Sequence, residues 1–305
     1  MQISKQKAAS RAAPSIAACY FRPPSAAWSV RSSRSMTQQH SPDLERRFGG
    51  LARLYGTEGA ARIRAARVAV VGIGGVGSWA AEALARSGVG AITLVDLDNV
   101  AESNVNRQIH ALTSTLGQPK VEAMRQRIAL IHPGCEVHCV EDFAAPGNWP
   151  ALLPAAVDGV IDACDQVHAK QALAAWALKT RALFITCGAA GGKRQGERVE
   201  IADLAEVTHD PLMAALRARL RQTGSMAKGG KDGKDRQARS GLQVVFSREA
   251  VTRPAACGPQ PGHDRNLNCH GYGSAVTVTA TFGLVAAGWM VERLAQGRVL
   301  QHPHT

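Results

Sequence analysis

Short apolar runs rich in β-branched residues recur along the chain, and between them apolar positions return every three to four residues. Residues 68–71 (VAVV) end in glycines, residues 78–87 carry Trp79, Ala83 and Leu84 on one helical side, and residues 91–95 (AITLV) end at Asp96. A strand, turn, helix and strand within about 30 residues fit a right-handed crossover. Further strands are expected at 136–140, 159–162 and 183–186, and helices at 120–131 and 169–179. This alternation predicts an α/β, Rossmann-like fold, a mostly parallel sheet with helices on both faces.

Past Cys187 the texture changes, and a smaller C-terminal extension is expected. Residues 195–202 read as a polar strand, and 211–222 (PLMAALRARLRQ) as a basic helix with Asp210 as its N-cap. Residues 224–241 hold Lys228, Lys231, Lys234, Arg236 and Arg239 with almost no apolar side chain, the composition of a mobile loop. Residues 271–291 are uncharged over the length of a membrane span. Thr277, Thr279 and Thr281 lower their hydrophobicity, so a buried or subunit-contact helix is expected, with membrane contact as the alternative.

Charge modifies this picture only locally. The 36 Lys and Arg against 24 Asp and Glu give a formal +12. Residues 1–42 hold six of the basic side chains and no acid, so this segment is expected to be a disordered leader, or a start placed upstream of a true start at Met36. Residues 43–295 form the expected domain and 296–305 a tail. The seven cysteines include no C-x-x-C pair. That spacing argues against a disulfide framework and a four-cysteine zinc site, and suits a reduced, cytoplasmic setting.

The candidate chemistry starts at Gly72-Ile73-Gly74-Gly75-Val76-Gly77, where a phosphate-binding turn should lie, after a strand and before a helix. Alone, with Asp96 or Asp98 about 20 residues on to bind a ribose, it favours a dinucleotide enzyme. The following residues change that reading. Asn104-Val105-Asn106-Arg107-Gln108 and Gly117-Gln118-Pro119-Lys120 supply cations that hydride transfer does not need. Cleaving ATP between its α- and β-phosphates does need them, because charge builds on the pyrophosphate. Asp162-Ala163-Cys164-Asp165 ends a strand, where Asp165 is placed to hold the magnesium that accompanies ATP.

Together these motifs resemble the superfamily of ubiquitin-activating enzymes and the adenylyltransferases of molybdopterin and thiamine biosynthesis. The resemblance implies that Gly72, Gly74, Gly75, Gly77 and Asp98 bind ATP, and that Asn106, Arg107, Lys120 and Asp165 surround its phosphates and Mg2+. It further implies a homodimer in which Arg53 reaches the partner's ATP. The missing C-x-x-C pairs depart from the sulfur-carrier enzymes, and zinc is not expected. Residues 47–56 (RFGGLARLYG), 72–86, 106–112 (NRQIHAL) and 277–283 (TVTATFG) look closer to the tRNA threonylcarbamoyladenosine dehydratase branch.

That branch implies adenylation of the threonyl carboxylate of the modified adenosine beside the tRNA anticodon, followed by ring closure. Arg217, Arg219, Arg221 and the 224–241 lysines are then candidates for tRNA phosphate contacts, or simply a solvated face. A sulfur-relay or sulfur-acceptor protein as partner stays open, as does thiol chemistry at Cys187, Cys257 or Cys269. The competing classes are an adenylyltransferase for a ubiquitin-like sulfur carrier and a non-catalytic nucleotide-binding adaptor.

Overall fold

The computed structural model describes residues 42–226, 239–252 and 272–297. The leader, most of the basic loop, the end of the tail, Cys257 and Cys269 lie outside the described residues. Helix α1 (Leu44–Ala65) opens with Asp43 as its cap, the carboxylate accepting the Arg46 N–H at 3.0 Å, and it kinks at Gly56.

The chain then builds β1 (Arg67–Val71), α2 (Gly77–Arg86), β2 (Ala91–Val95), α3 (Lys120–Ile131), β3 (Glu136–Val140), β4 (Gly159–Asp162), α4 (Val167–Thr180) and β5 (Leu183–Cys187). It ends with β6 (Val199–Asp203), α5 (Pro211–Gln222), β7 (Gln243–Ser247) and α6 (Val276–Ala295). The strands form one sheet in the order β3-β2-β1-β4-β5-β7-β6. All neighbours are parallel except β6, which runs antiparallel to β7 at the edge.

Alternation along each strand feeds two cores. Val68 and Val70 of β1 point to the side of α2, α3 and α6, whereas Ala69 and Val71 point to the side of α4 and α5. Helices therefore cover both faces, as the sequence pattern predicts. The extension beyond Cys187 completes the same sheet. Strand β7, which the sequence reading does not foresee, inserts beside β5 and carries β6 at its outer edge.

Helix α6 packs on α2. At Gly283 a Cβ would collide with the Val76 carbonyl, and Phe282, Ala286 and Met290 are fully buried. Each large apolar side chain so buried contributes roughly 1.5–3 kcal/mol. Of the two readings of residues 271–291, the buried helix is the one found. Among the described residues no helix is long and apolar enough to cross a membrane.

The sheet changes direction between β1 and β4: the chain runs outward to β3 and then returns to the opposite side of β1. Ligands of open α/β sheets bind beyond the strand ends at such a switch point.

Candidate active site

A cavity of about 480 Å³ lies at that switch point, a size suited to a nucleotide. Its floor is the turn after β1. Gly72 has φ +87°, and a Cβ there would press on the Cys164 backbone nitrogen at 2.8 Å, so glycine is required on both counts. At Gly77 a Cβ would collide with the Gly72 carbonyl; this glycine closes the turn onto α2 and does not line the cavity. Gly74, Gly75 and Val76 do line it. Helix α2 has no side-chain N-cap, so its first backbone N–H groups and the positive end of its dipole favour an anion here.

Asp96 holds the turn from behind. Its carboxylate accepts the Ile73 N–H at 2.6 Å and the Asp98 N–H at 2.9 Å. Burial pushes its pKa up, against the opposing pull of Lys120. The Gly117-Gln118-Pro119-Lys120 segment is drawn back to β2 by an Asn99–Pro119 bridge and a Val100 N–H to Gln118 carbonyl bond of 2.8 Å. Lys120 thereby begins α3 inside the cavity, its Nζ 2.6 Å from Asp98 and 3.7 Å from Asp96. Its side chain is buried while that of Asp98 is 56% exposed.

Arg107 lines the cavity against Gly75, donates to the Ser103 carbonyl at 2.5 Å and leaves further guanidinium N–H groups available. Asp165 lines it too, beside Cys164 and Gln166. Here the glycine turn, Asp98, Arg107, Lys120 and Asp165, distant in sequence, share one cavity.

Besides Gly77, two further assignments fall elsewhere. Asn106 donates to the Ser274 carbonyl at 2.9 Å and is not in the lining; Asn104 is, because the loop turns it inward to accept the Ala101 N–H. Arg53 is exposed on α1 and outside the cavity. Residues the sequence reading left unassigned also contribute. Gln108 lines the cavity, buried and with its amide oxygen unpartnered, and its only signal was its place one turn after Asn104. The loop after β3 adds Asp142 and Phe143, and the starts of α5 and α6 add Leu212 and Thr279.

Arg217 is half-buried, and its Nη1 donates to the carbonyls of Leu204 and Val207 at 2.8 and 3.0 Å. Burial pushes the Cys187 thiol up to about 12, which keeps it protonated and a poor nucleophile.

The lining carries four carboxylates, Asp96, Asp98, Asp142 and Asp165, against the cations Arg107 and Lys120. A polyphosphate entering this cavity therefore calls for a further cation. Among the described residues no group of three or more His, Cys, Asp or Glu side chains is placed to hold a metal ion. Such a lining fits magnesium, which takes one or two carboxylates and fills its other positions with phosphate and water.

The model of the ThiF family matches residues 48–301. The tRNA threonylcarbamoyladenosine dehydratase of Escherichia coli is 42% identical over 255 residues, covering 81% of this chain and 93% of its own length. That of Haemophilus influenzae is 39% identical over 256 residues, covering 83% and 94%. A crystal structure of the E. coli enzyme in complex with ATP matches with a TM-score of 0.73 at 41% identity, over 84% of this chain and 97% of that one. The glycine turn, the Arg107 and Lys120 cations and the likeness over most of both chains agree: this protein belongs to the ThiF family.

Proposed function

We propose that this protein uses magnesium ATP to adenylate the threonyl carboxylate of threonylcarbamoyladenosine beside the tRNA anticodon, and then closes the modified side chain into a ring. A carboxylate oxygen attacks the α-phosphorus and pyrophosphate leaves. The carbamoyl group, giving up a proton, attacks the acyl carbonyl and AMP leaves. The nucleoside loses one water as ATP becomes AMP and pyrophosphate. A free carboxylate is a poor electrophile, and its acyl adenylate removes that obstacle; ring closure is intramolecular, so positioning supplies much of the acceleration.

The observation that carries this reading is the placement of Lys120 Nζ 2.6 Å from Asp98 in the cavity floored by the glycine turn. When a ribose engages the exposed Asp98 carboxylate, the ammonium is freed for the phosphates. Lys120 and Arg107 then stabilise the charge that develops on pyrophosphate. Asp165 is the side chain assigned to magnesium, which when bound offsets phosphate charge.

Arg53 is assigned to the cavity of a second copy, which makes the working unit a homodimer. Mixing Arg53→Ala and Lys120→Ala proteins tests this, because a mixed dimer holds one intact site. Random reassembly should recover about a quarter of the wild-type activity; no recovery would mean that Arg53 acts within its own subunit, and an active Arg53→Ala protein would place it outside catalysis.

The reaction itself is tested by incubating the protein with magnesium ATP and tRNA bearing the threonylcarbamoyl group. AMP release with loss of one water from the nucleoside is expected. AMP release only with a sulfur-carrier protein would move the assignment to that class, and ATP binding without AMP would make the protein an adaptor.

A further inference from the structure

One ion pair beneath the cavity has no part in the chemistry above. Asp162, the last residue of β4, and Lys170, in the first turn of α4, are both fully buried, with Nζ 3.1 Å from Oδ2. Lys170 also donates to Thr186 Oγ1 at 3.0 Å, and Thr186 Oγ1 donates to Asp162 Oδ2 at 2.7 Å. The other carboxylate oxygen accepts the Cys164 backbone N–H at 3.2 Å and the Cys164 thiol at 2.8 Å.

A buried ion pair adds little stability over apolar side chains of the same volume. Core burial alone therefore does not account for a charged lysine at this place in α4. What the pair does account for is a bend. Asp162 Oδ1 turns the chain back on itself at Cys164, two residues on. The turned loop lies against the glycine turn: the Ala163 N–H donates to Val71 at 2.8 Å, and Gly72 packs under Cys164. The next residue is Asp165.

We propose that Lys170 is a positioning residue for the cavity: with Thr186 it holds the Asp162 carboxylate, which fixes the 163–166 loop and sets Asp165 against the phosphate-binding turn. Without the ammonium, the buried Asp162 carboxylate has no countercharge and must move toward water. That displaces the oxygen that accepts from Cys164, and the loop shifts. The inference rests on the reading of Asp165 as the magnesium-binding side chain.

The test is calorimetric titration of the full-length protein with ATP, in magnesium and in excess chelator, for wild type, Asp165→Asn, Lys170→Met, Lys170→Arg and Thr186→Val. Lys170→Met should weaken magnesium ATP by about tenfold, the usual cost of losing support behind a metal ligand. Asp165→Asn should do the same, and chelated ATP should bind all of them alike. Lys170→Arg should regain most of the loss. Thr186→Val, which keeps the ion pair and so keeps the protein folded, should show a smaller loss with the same magnesium dependence.

A merely structural pair would lower the binding-competent fraction and leave the affinity at each site intact. If Asp165→Asn loses the magnesium-dependent affinity while Lys170→Met and Thr186→Val keep it, the positioning role is wrong. If Asp165→Asn itself keeps it, the magnesium assignment fails and the inference with it.

Discussion

Two cavities of about 480 Å³ lie at opposite ends of α2 and α3, and both hold cationic side chains. The one at the start of these helices holds Lys120 and Arg107. The one at their far end is lined by Arg47, Arg86 and Arg127 over Phe48, Leu130 and Ile131. By charge count the second is the better anion site, yet Arg86 and Arg127 are committed to one buried carboxylate. Arg86 and Arg127 donate to Glu82 at 2.8 and 2.7 Å, and Arg47 donates to the Ile131 carbonyl at 2.6 Å, where α3 ends.

The difference lies in the partners. The Glu82 side chain is 4% exposed, so withdrawing its guanidinium groups would strand a buried charge. Asp98, the nearer partner of Lys120, is more than half exposed and can exchange it for a ribose at little cost, while the buried Asp96, 3.7 Å away, keeps the Ile73 and Asp98 N–H donors. A cation serves catalysis when its closest resting partner can reach water. A count of basic residues does not reveal this.

The largest effect expected from this contrast is catalytic. Lys120→Ala and Arg107→Ala should each lose about 10²–10³-fold in turnover, the scale for removing a fixed group that stabilises a developing charge, with thermal melts close to wild type. Undiminished turnover in both would erase the distinction between the cavities.

Next in size is a pH effect at His110, which lies between the two cation sets. Burial, with Lys120 and Arg127, lowers its pKa to about 4, so it is neutral in the folded protein. The unfolded chain takes up a proton near pH 6.5. Stability is therefore full above that value and falls as pH drops toward 4, by at most about 3 kcal/mol. Denaturant melts across pH 4–7 read this slope, and His110→Leu should flatten it. An unchanged slope would show that other groups set the acid sensitivity.

The smallest expected effect is at the far cavity. Arg127→Met leaves Glu82 with one guanidinium, and because Arg127 is partly exposed the loss should be only about 1–2 kcal/mol of stability. Turnover per folded molecule should be unchanged. A fall in turnover comparable to that of Lys120→Ala would mean that both cavities serve the reaction.

Legibility in the sequence followed the range of the interactions. The β1–α2–β2 unit and its turn were readable because periodicity and glycine placement are local signals. Strand β7 was not, since Gln243–Ser247 is a five-residue run after a charged stretch and its partner β6 lies about 40 residues earlier. The cavity cations were readable from motif order. The choice between Asn104 and Asn106 was not, because an irregular loop has no period from which to read which side chain turns inward. Lysine in a helical pattern reads as solvated, so Lys170 gave no sign of lying fully buried beneath the site. Arg217 likewise read as surface charge, because its carbonyl partners belong to the loop before α5.

The cavity at the start of α2 and α3 is expected to direct attack to the α-phosphorus of ATP. Product analysis on threonylcarbamoyl-modified tRNA decides this. One AMP and one pyrophosphate for each cyclised nucleoside is the predicted result; ADP and inorganic phosphate in the same proportion would contradict it.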